Sequence, residues 1–95
     1  MHASIWHFTG DPDELLAGYD AMLAALPPFE LQLCLRAPDG IVIVDTCPSR
    51  EVFEGFAASE DFRALRSAHG LPDPARLEDF PVHVAHVDGR AVRAS

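Results

Sequence analysis

The chain contains no lysine and no asparagine. All seven basic residues are therefore arginine, set against 15 acidic residues, and the formal net charge is −8. Without lysine the chain cannot form a Schiff base, anchor pyridoxal phosphate or supply the lysine of a phosphate-binding P-loop. Scattered arginines on an acidic chain form no basic stripe, so we expect no nucleic-acid partner.

Long apolar runs are also missing. No segment approaches the ~20 apolar residues of a membrane-spanning helix, and residues 1–8 lack the basic start and long apolar core of a signal peptide. We therefore expect no membrane partner. Two cysteines, Cys34 and Cys47, fit a reduced, cytoplasmic chain. The length suits one domain, which we predict over residues 1–89, with a loose tail at 90–95.

Hydrophobic periodicity divides the chain into strands and helices. The predicted order begins with a strand at 2–8 and a helix from Pro12 to about Leu26, which Pro27 and Pro28 end. Strands at 29–37 and 41–47 follow. A second helical segment begins at Ser49 and is divided at Ser59, and the last strand is predicted at 79–87. This β-α-β-β-α-β order predicts an α+β, ferredoxin-like fold, with two helices on one face of a four-stranded antiparallel sheet. Strands one and three are expected in its centre.

Two helices cover only one face of such a sheet, yet its strands carry apolar residues on both faces. Strand 41–47 is apolar on both, and strand one places Ile5 opposite Trp6 and Phe8. An open apolar face of that size would exceed the few hundred Å² that monomers usually expose. A second copy packed sheet to sheet is the simplest cover, so we predict a two-fold homodimer.

The segment at 41–65, IVIVDTCPSREVFEGFAASEDFRAL, resembles the dimeric α+β barrel superfamily, in particular its antibiotic-biosynthesis-monooxygenase-like domains. Their Ser-x-x-Phe step corresponds here to Ser59 and Phe62. The resemblance implies an α+β barrel dimer and cofactor-free oxidation of aromatic, polyketide-like molecules. Haem-degrading relatives use Asn, Trp and His. This chain has no Asn, has Phe56 where many relatives place Trp or His, and has Arg66 where those enzymes place the axial His. We therefore expect no haem and no other cofactor.

The histidines are the first candidates for chemistry. His83 and His86 lie three apart in a predicted strand, so their side chains point to opposite faces and cannot easily share a metal ion. We predict no metal site. His7, on the neighbouring strand one, could approach either of them, and a neutral histidine in a semi-apolar pocket can serve as a base. Chance placement of these histidines is the alternative interpretation.

Two other residues interrupt the apolar pattern. Trp6 packs either in the core or dimer interface, or against a flat aromatic ligand. Asp45 shares a strand face with Ile41 and Ile43; it lies either at a wet strand end, or buried, with a raised pKa, as a proton acceptor.

The cysteines are not candidates for either a disulfide or a catalytic site. The turn at 38–40 separates Cys34 from Cys47 by roughly 10 Å, which excludes a disulfide. Neither has a base nearby in the sequence, so we predict no cysteine nucleophile.

The sequence thus predicts a small cytoplasmic homodimer that binds, or oxidises without a cofactor, a small aromatic or polyketide-like molecule. His83, His7 and Asp45 are the candidate catalytic bases, and Trp6 and His86 are the candidate ligand contacts. The alternative is a non-enzymatic ligand-binding or dimerisation module with no catalytic site.

Overall fold

A computed structural model describes residues 1–26 and 31–93. The elements follow one another as β1 (His2–Thr9), α1 (Pro12–Leu23), β2 (Gln32–Ala37), β3 (Gly40–Cys47), α2 (Arg50–Ala57), α3 (Glu60–Ala68), β4 (Arg76–Pro81), β5 (Val84–Val87) and β6 (Arg90–Arg93). Strands β1 to β4 form one antiparallel sheet in the order β2-β3-β1-β4. The predicted central positions of strands one and three are therefore confirmed.

The helices begin at the residues that the sequence indicated. Asp11, Ser49 and Ser59 cap α1, α2 and α3, each accepting a hydrogen bond from a backbone N–H two or three residues on. Because Ser59 divides the second helical segment, the described part of the chain has three helices rather than two. Helix α1 ends at Leu23, three residues before the predicted end, and the double proline that follows lies outside the described residues.

The prediction of one last strand over 79–87 is wrong. Strand β4 begins earlier, at Arg76, and ends at Pro81, and β5 starts a separate two-stranded sheet with β6. Residues 90–93, expected in a loose tail, form β6; residues 94 and 95 lie outside the described part. Asp88 (φ 51°) and Gly89 (φ 76°) form the turn between them, because both adopt the left-handed conformation that a tight hairpin requires.

The core lies between the four-stranded sheet and the helices. Strand alternation turns one set of side chains toward the helices, a surface called here the helix-facing side. Its buried apolar residues are Trp6, Phe8, Ile41 and Ile43. They form one core cluster with Leu15, Tyr19 and Met22 of α1 and with Leu71, which follows α3. No helix in the described part of the chain has both the length and the apolar character that crossing a membrane requires.

The other side of the sheet, called here the open face, is not covered by any described element. It is apolar toward β2 and carries His7, Arg76 and Glu78 toward β4. Leu33, Leu35 and Phe80 are 48%, 46% and 52% exposed there. Ile5 and Val44 lie half-buried between them in the strand register. The predicted alternation of β2 is present within Gln32–Ala37, and its leucines are the residues turned away from the helices. The start of the predicted strand at 29–30 lies outside the described residues.

Candidate functional site

Four polar side chains cross the helix-facing side of the sheet in a single row, called here the polar row. Gln32 of β2 pairs with Asp45 of β3, Asp45 pairs with Ser4 of β1, and Ser4 pairs with Asp79 of β4. Because paired residues of adjacent strands point the same way, the register alone places all four side by side. An otherwise apolar surface thus carries one band of hydrogen-bonding groups.

Asp45 is the buried carboxyl of this row, with 7% of its surface exposed. The Ser4 hydroxyl donates to its Oδ1, and the Gln32 side chain also hydrogen-bonds to it. Burial raises the pKa of Asp45, while these two hydrogen bonds oppose the rise. Among the described residues no arginine or histidine forms an ion pair with it. A buried carboxyl without a cation is suited to accepting and returning a proton.

Hydrogen bonds extend the polar row at both sides of Asp45. The indole Nε1 of Trp6 donates to Ser4 Oγ at 3.0 Å, so the ring is held next to the carboxyl. The Tyr19 hydroxyl donates to Gln32 Oε1. Burial, and after it the charges of Cys34, Asp20 and Asp45, raises the pKa of Tyr19, which keeps the phenol protonated and able to donate. Each buried polar group near Asp45 therefore has a partner.

Aromatic rings surround Trp6. Phe8 stacks beside it at 6.3 Å, and Phe53, Phe56 and Phe62 meet it edge-on with centroids 5.6–6.4 Å away. Phe56 and Phe62, from α2 and α3, also stack on each other at 4.1 Å. Edge-on and offset contacts of this kind are the favourable geometries for aromatic pairs.

A cavity opens between these rings and the polar row. It encloses about 310 Å³ of atom-free space, part of it continuous with solvent, and is lined by Trp6, Phe8, Tyr19, Met22, Leu26, Gln32, Ile43, Asp45, Phe56 and Phe62. The space is narrow, with room for about one or two water molecules between the side chains as they stand. Asp45 is the one ionisable carboxyl among the described residues of this lining, and Trp6 and Asp45 are the two predicted site residues that the fold brings together.

The far end of the polar row carries a second group of reactive side chains. The ring Nδ1 of His2 lies 3.1 Å from Asp79 Oδ2, and the side chains are 22% and 10% exposed. The other carboxylate oxygen of Asp79 is buried and has no hydrogen-bond partner within residues 1–26 and 31–93. On the opposite side, His2 pairs with Cys47 of β3.

The Cys47 thiol is held in its neutral form. Burial, then the charges of Asp79 and Asp45, raises the pKa of Cys47; the amino group of Met1 and a hydrogen bond with Ser49 act in the opposite direction. The Sγ atom donates to the Ser49 carbonyl oxygen at 3.4 Å.

The three predicted histidines do not converge. His7 lies on the open face, where its Nε2 contacts Glu78 Oε1 at 3.1 Å. His83 is exposed between β4 and β5 and lies 3.5 Å from an Arg93 nitrogen, while His86 is exposed on β5. Because β4 ends at Pro81, neither His83 nor His86 lies on the strand next to β1. Over residues 1–26 and 31–93, no three His, Cys, Asp or Glu side chains form a set that fits a metal ion.

Sequence reasoning missed Ser4, Gln32, Tyr19 and the group around His2. The alternation of β2 and β3 does place Gln32 and Asp45 on definite faces, so that part of the polar row left a readable signal. The pairing of β1 with both β3 and β4, which brings in Ser4, depends on a register that no local pattern specifies.

Comparison of the sequence with models of known protein families gives no match, and comparison with curated proteins gives none either.

Proposed function

We propose that the protein is a cytoplasmic homodimer that binds a small, flat, aromatic or polyketide-like molecule in the cavity between sheet and helices. The single observation that carries the proposal is Asp45, a buried carboxyl with no cationic partner in the described chain, at the wall of an aromatic cavity. Ligand pockets typically combine apolar and aromatic walls with a few convergent polar groups. Trp6 supplies the wall, and Asp45, Gln32 and Tyr19 supply those groups.

Asp45 can act on such a molecule in two ways. In its protonated form it donates a hydrogen bond to a ligand carbonyl or hydroxyl. In its ionised form it removes a proton from a phenol or an activated C–H, and a raised pKa places this exchange closer to neutral pH. The electron-rich anion can then react with oxygen without a cofactor, with the protein supplying the base, the orientation and a dry cavity.

A ligand larger than a few atoms requires side chains at the cavity to move. Phe56 lies near the C-terminus of α2 and Phe62 lies in the first turn of α3. The two stacked rings therefore flank the junction between the helices at Ala58 and Ser59. Rotation of these rings is the simplest way to widen the space beside Trp6. Binding is therefore expected to change the environment of the single tryptophan.

Trp6 fluorescence provides the test. Titration with naphthol and with a hydroxylated anthrone is expected to give saturable quenching, followed by oxygen uptake with any compound that binds. Asp45→Asn should weaken binding about tenfold or more, since a charged or protonated carboxyl hydrogen bond contributes about 1.5–3 kcal/mol. Asp73→Asn, at a site whose side chain is 65% exposed, is the matched control and should bind as wild type. Equal affinities in the two variants would reject Asp45 as the anchor.

The second part of the proposal concerns the assembly. We propose that the sheet and its helices form the ferredoxin-like arrangement of the dimeric α+β barrel superfamily and that the open face is covered by a second copy. The element order and the central β1 and β3 support this arrangement. The third helix and the β5–β6 hairpin are additions to it. An antibiotic-biosynthesis-monooxygenase-like activity is the enzymatic form of the proposal.

The size of the open face supports a dimer. Four strands about 4.8 Å apart and about seven residues long span roughly 19 by 23 Å, or about 440 Å² in projection. Side chains raise the accessible area above this projection, toward the ~800 Å² per partner of a standard interface. The dimer interface would bury Leu33, Leu35 and Phe80 at its centre or edge. A face of this character matches itself under two-fold symmetry.

Sedimentation equilibrium at micromolar concentration tests the dimer. The wild type is expected at about twice the 10.4 kDa of one chain. Leu33→Arg should shift it toward the monomer, because it places a charge in the apolar face. Val52→Arg, at a residue 51% exposed on α2, is the matched control and should leave the mass unchanged. A monomeric wild type would overturn this part of the proposal.

A non-enzymatic dimerisation module is the second candidate function. It is favoured by the narrowness of the cavity and by the dispersal of His7, His83 and His86. The fluorescence and sedimentation tests above distinguish the two candidate functions. A dimerisation module predicts a dimer whose Trp6 fluorescence responds to no aromatic compound.

A further inference from the structure

The group at the end of the polar row has the order of a nucleophile, a base and an orienting acid. Cys47, His2 and Asp79 come from three adjacent strands, β3, β1 and β4. His2 is directly opposite Cys47 in the register, whereas Asp79 is opposite Ser4 and reaches the His2 ring diagonally. Directly opposite residues of antiparallel strands have Cβ atoms about 4.5–5.5 Å apart. The ring of His2 is thus within side-chain reach of the thiol while its Nδ1 contacts the carboxylate.

The contact with Asp79 determines which histidine nitrogen can accept a proton. An ionised carboxylate only accepts hydrogen bonds, so the 3.1 Å contact assigns the ring proton to Nδ1. In the neutral ring, Nε2 then carries the lone pair. The Asp79 side chain is only 10% exposed, and among the described residues its other oxygen has no hydrogen-bond partner that competes with His2. In covalent catalysis, the nucleophile commonly has a base beside it, and a third, acidic group orients that base.

We propose that Cys47 is a nucleophilic thiol activated by His2, with Asp79 as the positioning residue, and that it adds to the electrophilic carbon of a conjugated carbonyl compound. Rotation about the Cα–Cβ bond of Cys47 turns the thiol from Ser49 to His2. The sulfur forms a bond to the β-carbon of the compound as its proton passes to His2 Nε2. The carbon–carbon π electrons move to the carbonyl as an enolate, which then takes the proton from His2, so no leaving group or oxidant is needed.

The electrostatics explain why a base is required. Burial and the carboxylates of Asp79 and Asp45 disfavour a thiolate at Cys47, and the Met1 amino group only partly offsets them. The thiol therefore rests in its neutral form, and its reactivity depends on proton removal during attack rather than on a standing thiolate. Conjugated carbonyl compounds suit this arrangement because the same histidine that takes the proton returns it to the product. The proposal does not depend on ligand binding beside Trp6.

The second cysteine supplies an internal control. Cys34 is also half-buried, and burial and the charge of Asp20 raise its pKa as well, but its partner across the β2–β3 ladder is Ile43 rather than a histidine. The experiment uses the full chain in two single-thiol forms, Cys34→Ser and Cys47→Ser. Intact mass spectrometry follows adduct formation with N-ethylmaleimide, a conjugated carbonyl probe, between pH 6 and pH 9.

Cys47 is expected to react at least about tenfold faster than Cys34 near pH 7. This factor is a small part of the ~10²–10⁴-fold rate increase that a positioned base can contribute. His2→Gln should remove this advantage at Cys47 and leave Cys34 unchanged. Asp79→Asn should lower the Cys47 rate about threefold or more, with a changed pH profile, because it disturbs the ring orientation. In denaturant the two thiols should react alike. Circular dichroism confirms that each variant is folded.

Two results would overturn the proposal. One is a native Cys47 that reacts no faster than Cys34. The other is a His2→Gln rate equal to or above the wild-type rate, which would mean that exposure alone governs the thiol. Neither result bears on ligand binding at Asp45.

Discussion

Two glycines in different helices are expected to respond to alanine in opposite directions. A Cβ at Gly18 of α1 would come within 3.0 Å of the carbonyl oxygen of His69, a separation that real Cβ atoms essentially never show. Leu71 Cδ1 would lie 3.5 Å away on the same side. A Cβ at Gly55 of α2 would have no neighbour within 4 Å. The pair therefore separates intrinsic helix propensity from helix packing.

The magnitudes follow from these contacts. Alanine at either site gains about 1 kcal/mol of helix propensity over glycine. At Gly18 the obstacle is backbone, which cannot rotate away, so α1 must move off the segment at 69–71. The cost is then in the upper part of the overpacking range, about 2–3 kcal/mol. We expect Gly18→Ala to lose about 1–2 kcal/mol net and Gly55→Ala to gain about 0.5–1 kcal/mol. At ~4–8 °C per kcal/mol, the two melting temperatures should differ by about 6 °C or more.

The assay is urea and thermal unfolding by far-UV circular dichroism, with all chains at one concentration because a dimer's stability depends on it. Tyr19, next to Gly18, hydrogen-bonds to Gln32, so Gly18→Ala should also alter Trp6 fluorescence while Gly55→Ala does not. If Gly18→Ala proved as stable as Gly55→Ala with an unchanged m-value, α1 would not pack against the backbone after α3, and the cavity wall described above would be wrong.

Three further predictions concern the polar row and the caps. The raised pKa of Asp45 means that the folded state holds the carboxyl proton more tightly than the unfolded chain, in which the pKa is near 3.8. Wild-type stability should therefore fall as pH rises above 3.8, and in urea melts the stability of Asp45→Asn relative to wild type should increase with pH. Parallel stability curves for the two proteins would contradict this. Ser4→Ala leaves Asp45 and the Trp6 indole each short of a partner and should cost about 2–4 kcal/mol in denaturant unfolding, against almost nothing for the exposed Ser67→Ala. Ser59→Ala should cost about 1 kcal/mol through loss of the α3 cap, and a neutral result would show that the α2–α3 break does not depend on it.

Local features of the fold were predictable because local physics produces them. Ser49 and Ser59 satisfy N–H groups within three residues of themselves, and the apolar residues on both faces of 41–47 mark a central strand wherever it pairs. The hairpin turn at Asp88 and Gly89 was also readable, since an Asp-Gly pair flanked by apolar residues is a strong hairpin signal. Interpreting residues 90–95 as a loose tail overlooked it.

The candidate sites could be predicted only in part. Asp45 and Trp6 stand out as a carboxyl in a valine-rich strand and a lone tryptophan, and both line the cavity. His83 and His86 appeared to belong beside β1 because the valine run around them is continuous. The break after Pro81 takes them away from the sheet. Pro81, which has no N–H to donate to a strand ladder, is the local signal that the prediction of one continuous strand overlooked.

The sequence by itself determined where helices begin, which residues alternate along each strand, and that a carboxyl shares a face with isoleucines, because each of these depends on neighbours a few positions away. Only the tertiary structure decided that Ser4 meets Asp45 across 41 positions and His2 meets Asp79 across 77. Strand register sets such pairs, and a shift of one residue would turn every side chain to the opposite face. The register is selected by the packing of the whole sheet against its helices, which no single segment encodes.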